Sequence, residues 1–262
     1  RRLPAVHGQD PWTEEEADKA WSTAVTAAVE GLSGRRLAVM ISPMLTCEDA
    51  WLLGRMARRL DPDALRALGP GPFSGEDKTF PGGYTVRAEK APNARGVRRV
   101  LEALGGSVTD AAGFEAALAG DGPEAVLITG NYPSEWVTES LKTAIGKRFT
   151  VLLDTMPNRL QDTADVFLPA ATWMEKSGTF ENVDGRLQAF ERAIDPVDYY
   201  KSESQIAIDL LASSDGVRSE WFNAAMTRQM MAVESGLKVM LESVHMPEAE
   251  TTVESDMDMI EL

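Results

Sequence analysis

Cysteine is almost missing. Cys47 is the single one in 262 residues, and histidine is confined to His7 and His245. One cysteine makes no internal disulfide, which fits a reducing compartment. It cannot supply the set of thiolates that holds an iron–sulfur cluster, and two histidines near opposite ends are a poor source of zinc ligands. With no histidine in the middle of the chain, a Ser-His-Asp or Cys-His catalytic system is hard to build. Long apolar runs are missing as well: no stretch approaches the roughly 18 residues a membrane-spanning helix needs, so no direct membrane insertion is expected. The N-terminal Arg1-Arg2-Leu3-Pro4 has no signal-peptide core. With no initiator Met, the chain is expected to be processed or to belong to a longer polypeptide. Basic charge is the minority, 26 Lys and Arg against 41 Asp and Glu, a formal −15. A surface of that sign repels a phosphate backbone, so nucleic acid is not an expected partner. The one basic cluster, Arg95 with Arg98 and Arg99, is expected on a solvated helix face.

What is present is an ordinary globular composition, 44% hydrophobic and 26% charged, enough to bury a sizeable core. The apolar pattern alternates between short continuous runs and helical periods. Residues 12–32 read as an amphipathic helix, with Thr13 as N-cap and Trp21, Val25 and Val29 on one face. Leu37 to Ile41 reads as a buried strand, followed by a helix over Cys47–Leu60 with Thr46 as its cap and Glu48 and Asp49 in its first turn. Residues 61–91, with Gly69-Pro70-Gly71-Pro72 and Pro81-Gly82-Gly83, read as a long connection carrying one edge strand, Tyr84–Ala88. Helices follow from Asn93 to the Gly105-Gly106 stop and over Ala111–Leu118. Further strands are predicted at Ala125–Thr129, Phe149–Leu153 and Val166–Leu168, with a helix over Ser134–Ile145 and a short helix or turn at Asn158–Ala164. Residues 202–212 and 220–244 read as helical, the latter with a Met-rich stripe expected to be mostly core.

Strands alternating with helices predict an α/β fold, a mostly parallel sheet flanked by helices, with C-terminal helices and a flexible acidic tail. The divisions are an α/β domain over 1–212, a helical extension over 213–246 and the tail over 247–262. In such sheets ligands sit beyond the carboxyl ends of the strands. Those ends are Ser42–Thr46, Gly130–Pro133, Asp154–Met156 and the chain from Pro169 onward.

After Pro169 comes a loop dense in hydrogen-bonding side chains: Glu175, Lys176, Thr179, Asn182, Arg186 and Gln188. Gly178 and Gly185 permit tight turns or close backbone approach. Arg186 and Gln188 are the kind of pair that grips a phosphate or a purine edge. The chemistry leaves two readings level, a ligand-gripping loop and a loop that satisfies its own backbone.

Ala164, Asp165, Val166, Leu168, Pro169, Ala170, Glu175, Gly178, Thr179, Phe180, Asn182, Gly185, Arg186 and Gln188 together resemble a motif of the molybdopterin oxidoreductases. The relatives of that family include the large iron–sulfur subunit of NADH:quinone oxidoreductase, which is the nearest resemblance. Weaker likeness spans roughly residues 12–212, and Gly130-Asn131-Tyr132-Pro133 is similar to the family's Gly-x-Asn-Pro loop with Tyr132 interposed. The resemblance implies that, if a pterin is retained, Gly178, Thr179, Asn182, Arg186 and Gln188 face it. It has no match here for the family's cysteine-rich cluster domain, its metal-ligand segment or its C-terminal barrel. Cys47, at a helix start where small residues pack, is expected to be buried rather than a metal ligand.

The expectation is a family member reduced to its α/β core, with no catalytic residue, no metal and no cofactor of its own. It would be a non-catalytic scaffold subunit of a redox complex of the NADH:quinone oxidoreductase or NAD-linked dehydrogenase/hydrogenase type. Its partners would be iron–sulfur and NAD-linked subunits, and its location cytoplasmic, at most peripheral to a membrane complex. The alternative is a split subunit that binds a pterin jointly with a partner chain. A plain nucleotide-binding module is weakened because neither G-x-G-x-x-G nor G-x-x-x-x-G-K-[ST] follows any strand.

Overall fold

A computed structural model describes residues 3–196 and 199–246. The chain enters through a short strand, β1 (Ala5–Val6), then a 3₁₀ turn over Glu14–Glu16 leads into helix α1 (Ala17–Leu32). Strand β2 (Leu37–Ile41), helix α2 (Cys47–Leu60) and strand β3 (Leu65–Leu68) form the first crossover unit. A ribbon of β4 (Lys78–Thr79) and β5 (Thr85–Val86) precedes α3 (Ala94–Ala103), β6 (Val108–Thr109) and α4 (Ala111–Leu118). Strand β7 (Ala125–Thr129), α5 (Glu139–Ile145), β8 (Phe149–Asp154) and β9 (Val166–Pro169) complete the sheet. A hairpin of β10 (Gly178–Glu181) and β11 (Leu187–Phe190) follows, then α6 (Glu203–Asp215), α7 (Ala224–Met231), α8 (Val239–Glu242) and β12 (Val244–His245).

The main sheet runs β1-β9-β8-β7-β2-β3-β6 and is parallel except for β1, which lies antiparallel to β9. Its strands are near-continuous apolar runs because both faces are covered. Leu37, Val39, Ile41, Leu127, Leu153 and Leu168 point to one core, shared with α1, α2, α3 and α6. Met40, Val126, Ile128, Leu152 and Phe167 point to the other, under α4 and α5. The alternation is the strand period of two, read on both sides. From β2 the chain winds outward through β3 to β6, then returns to the opposite side of β2 to add β7, β8 and β9. The reversal lies between β2 and β7, at whose carboxyl ends an open α/β sheet places its ligand crevice.

Five local expectations change. The stretch 61–91 contains a strand of the main sheet, β3, and its Thr85–Val86 strand pairs with Lys78–Thr79 in a separate ribbon. Arg66 interrupts the apolar texture of β3, and pairing to β2 and β6 supplies what the four-residue pattern lacks. The helix expected from Ser134 begins at Glu139, because Thr138 caps it by accepting from Leu141 N at 3.0 Å. The helix expected over 220–244 is broken into α7 and α8 and ends in a strand beside β11, with Gly236 at a φ of 91° between them. Its apolar stripe is divided too: Met231, Leu237 and Met240 are core, whereas Trp221, Met226, Met230, Val233 and Leu241 are exposed. Residues 158–164 form turns. The acidic stretch 247–262 lies outside the described residues.

Candidate functional site

At the reversal between β2 and β7, the backbone of Ser42 donates to Thr129 Oγ1 at 2.8 Å, and that hydroxyl donates on to Met40 O. These bonds tie the two strand ends together. Over them lies Tyr132, 3% exposed, whose hydroxyl donates to Pro70 O at the end of β3 at 2.8 Å. Its ring packs on Trp136 at 4.9 Å between centroids. Gly69 leaves room for it, since a Cβ there would stand 2.8 Å from the hydroxyl oxygen. Burial raises the phenol's pKa, so Tyr132 stays a neutral donor. The aromatic residue interposed in the Gly-x-Asn-Pro-like loop therefore fills the crevice from within the chain.

The neighbouring residue, Asn131, takes a φ of 73°, a conformation Asn tolerates better than most side chains. Its backbone N–H donates to Asp154 Oδ1 at 2.8 Å, and its amide donates to Ala171 O and to Glu203 Oε1, both at 3.0 Å. Asp154 also accepts from Trp136 Nε1 and Asn158 Nδ2. The end of β8 is thus closed by its own loop.

Beside this lies a buried charged network. Thr46 and Asp49 cap α2 reciprocally, and Asp49 also accepts from Lys176 Nζ at 2.9 Å and from Ser204 Oγ at 2.6 Å. Lys176 donates as well to Glu203, in an ion pair that is 2% and 1% exposed. Burial alone would raise the Asp49 carboxyl, but the Lys176 ammonium and the Ser204 bond outweigh it and hold the group low. Glu203 is raised, because burial exceeds the pull of Lys176 and the charge of Asp49 adds to it. Burial disfavours the Lys176 charge, yet the two carboxylates keep its pKa above the ordinary value. Next to it Glu48 accepts from Thr179 N, Thr179 Oγ1 and Arg228 Nη1 at 2.8, 2.7 and 3.0 Å. Burial again raises the Glu48 carboxyl, against those bonds.

The five residues implied by the resemblance separate into two sets. Gly178 and Thr179 are buried: a Cβ on Gly178 would stand 2.4 Å from Thr46, and Thr179 is held by Glu48. Asn182 accepts from the backbone of Asp184 and Arg186, closing the hairpin's own turn. Arg186 and Gln188 are exposed on β11 and its turn, with no side-chain partner among the described residues. The set does not fit a pyranopterin guanine dinucleotide: its buried members are bonded inside the protein, and Tyr132 stands in the crevice. Nor is Arg186 a buried group whose removal destabilises the domain by about 1–3 kcal/mol, as a loop bonded through its guanidinium would require. Its exposure predicts a near-neutral R186A. Cys47 is fully buried, 3.6 Å from Asn93 Nδ2, and burial together with the Glu48 charge raises its thiol well above the ordinary value. It is a packing residue. Arg95 and Arg98 are exposed as expected, and Arg99 is half-buried; Arg95 and Arg99 also donate to the buried Glu181.

Sequence reasoning missed the role of Tyr132, and missed Lys176, Glu203 and Arg228 as members of the buried charged network. The adjacent acids Glu48 and Asp49 were visible, but as partners of a helix dipole. A groove of about 620 Å³ opens outside the network, with Lys176, Lys201, Gln205, Trp221 and Arg228 in its walls. Its cations are already paired, Lys201 with Asp209 at 2.7 Å and Arg228 with Glu48. Among the described residues no group of three or more His, Cys, Asp or Glu is placed to hold a metal ion. None of their helices is long and apolar enough to cross a membrane.

The molybdopterin oxidoreductase family model matches residues 93–213. A nitrate reductase of Symbiobacterium thermophilum is 37% identical over 81 residues, 30% of this chain and 11% of that protein. A subunit of the NADH-quinone oxidoreductase of Streptomyces coelicolor is 46% identical over 48 residues, 18% of this chain and 6% of that protein. The alpha subunit of the F420-dependent formate dehydrogenase of Methanocaldococcus jannaschii is 44% identical over 48 residues, 18% and 7% of the respective chains. The matched stretch therefore spans only about a tenth, or less, of the length of these relatives. Among solved structures, a chain of the formyltransferase/hydrolase complex from Methylorubrum extorquens aligns over 82% of this chain and 99% of its own, with a TM-score of 0.49 and 10% identity. The motif at residues 164–188 lies inside the stretch, residues 93–213, that matches the molybdopterin oxidoreductase family model.

Proposed function

We propose that this chain is a non-catalytic scaffold subunit of a multi-subunit redox complex, of the NADH:quinone oxidoreductase or NAD-linked dehydrogenase/hydrogenase type. The observation that carries the reading is Tyr132 closing the strand-end crevice, where an α/β sheet of this winding takes its ligand. The polar groups beside it bond one another: Asn131 donates to Asp154 and Glu203, and Asp154 accepts from Trp136 and Asn158. Relatives named as subunits of NADH-quinone oxidoreductase and formate dehydrogenase support a place among partner chains. In this reading the iron–sulfur clusters and the NAD-linked chemistry reside in those partners, and the complex is cytoplasmic or peripheral to a membrane. Affinity purification of the natively expressed chain under mild conditions, with identification of co-purifying subunits, tests it. Stoichiometric recovery of iron–sulfur and NAD-linked subunits is expected, and recovery of the chain alone defeats the reading. A pterin shared with a partner chain would have to be gripped by Arg186 and Gln188, the two motif residues still exposed. Pterin fluorescence in extracts of the purified complex would establish that alternative.

A further inference from the structure

The buried cations of the strand-end site each face a carboxylate, but Arg66 does not. It sits in the middle of β3, 2% exposed, and its Nε has no hydrogen-bond partner. Its backbone N–H is taken by Ser107 O at 3.1 Å. Among the described residues no carboxylate pairs with its guanidinium. Native interiors rarely leave a buried charge in that state, because its lost hydration goes uncompensated.

The surroundings are shaped to admit this side chain. A Cβ on Gly106 would stand 2.6 Å from Arg66 Nη2, and Gly106 has a φ of +76°, so two separate demands require glycine there. On the other side Arg66 Cδ lies 3.9 Å from the position a Cβ would take on Gly54 of α2. Arg58, one turn further along α2, reaches the same place: its Nη1 donates to Leu104 O at 3.1 Å and its Nη2 pairs with Glu234 at 3.3 Å. Two guanidiniums thus converge on the turn Leu104–Gly106, where Glu234 is already bonded to Arg58. Burial first, and then the charge of Arg58, make the Arg66 cation less favourable than an ordinary arginine. Gly105, Gly106 and Ser107 are exposed, so the approach is from solvent.

We propose that Arg66 and Arg58 form a receiving site for one oxyanion of carboxylate or phosphate type, entering over the Gly105–Ser107 turn. A planar guanidinium matches either group with two parallel N–H bonds. The two sources are a carboxylate side chain of a partner protein and a free phosphate. The proposal is independent of the scaffold reading, since the site is complete within this chain and is tested on it alone.

The test is thermal unfolding of the full chain at low ionic strength, titrated with inorganic phosphate, with glutarate as a carboxylate side-chain mimic, and with sodium chloride matched for ionic strength. One oxyanion should raise Tm by about 3 °C at roughly ten times its Kd, while chloride does not. Preference for phosphate identifies a free anion, and preference for glutarate identifies a protein carboxylate. The shift should vanish in Arg66→Met and shrink in Arg58→Met. Arg66→Met itself should melt no lower than the parent, because it replaces a side chain whose buried Nε has no hydrogen-bond partner with an apolar chain of similar length. If that variant does not fold, Arg66→Lys, which keeps the charge and loses the fork, should bind more weakly than the parent. No shift with either oxyanion in the parent overturns the proposal, as does a shift that survives unchanged in the Arg66 and Arg58 variants.

Discussion

At the residue scale the clearest pairing is Glu181, a side chain with no exposed surface that accepts from Arg95 Nε at 2.8 Å and Arg99 Nε at 2.7 Å. Asn93 Oδ1 takes its backbone N–H at 2.7 Å, so the end of β10 is held against α3 from two sides. Burial alone would raise this carboxyl, but the bonds from Arg99 and Arg95 outweigh it and hold it below its ordinary 4.5. A carboxyl depressed in the folded state stabilises above its unfolded pKa, and that contribution disappears as pH falls, because the unfolded chain then takes up the proton first. Glu181→Gln should therefore lose about 2 kcal/mol at pH 7, the scale of hydrogen bonds to a charged group. It should also show a shallower decline than the parent between about pH 5 and 2. Urea unfolding across that range checks both, and parallel pH curves for the two proteins would mean that the arginines do not hold the carboxylate low.

At the element scale, legibility followed the range of the interactions. The strands β2, β7, β8 and β9 were readable because each is a run of apolar residues buried on both faces, and α2 because Thr46 and Asp49 make its cap locally. Strand β3 was hidden by Arg66, and β6 is two residues long, so both owe their state to neighbouring strands. The motif located the hairpin, but not its contacts. Thr179 meets Glu48 across 131 positions and Lys176 meets Asp49 across 127, and no local pattern encodes such pairings. The ribbon of β4 and β5 is the converse case, a local structure with little beneath it. Phe73 and Tyr84 are 71% and 69% exposed, and the ribbon is tied at its base, where Lys90 N donates to Pro72 O at 2.8 Å and Phe73 pairs with Glu89. An isolated two-stranded hairpin contributes little stability of its own. Replacing residues 74–88 with a short glycine linker should leave Tm within about 2 °C of the parent, because the ends are already adjacent and no core is removed. A fall of more than about 5 °C in calorimetry would show that the ribbon packs on the body.

At the scale of the whole molecule, a stretch that matches the molybdopterin oxidoreductase family model sits in a chain with one cysteine and two histidines. The single Cys47 is buried, bonded to Asn93 and shifted toward its neutral thiol, so it is unsuited to bind metal, which takes the thiolate. His7 and His245 stand near opposite ends of the sequence. The acids that could otherwise coordinate an ion, Glu48, Asp49, Glu181 and Glu203, already accept from Arg228, Lys176, Arg99 and Asn131. A metal at any of them would have to displace a buried cation or amide and leave it unpaired, at a cost of several kcal/mol. The isolated chain is therefore expected to contain no stoichiometric molybdenum, tungsten or iron, and under the proposed scaffold reading iron would be found only in the complex, held by other subunits. Elemental analysis of the purified polypeptide beside that of the intact complex is the deciding measurement. Metal near one equivalent in the isolated chain would overturn the scaffold reading and return the hairpin's motif to a ligand-holding role. Iron confined to the complex is the outcome that the scaffold reading expects, with the electrons carried by the partner chains.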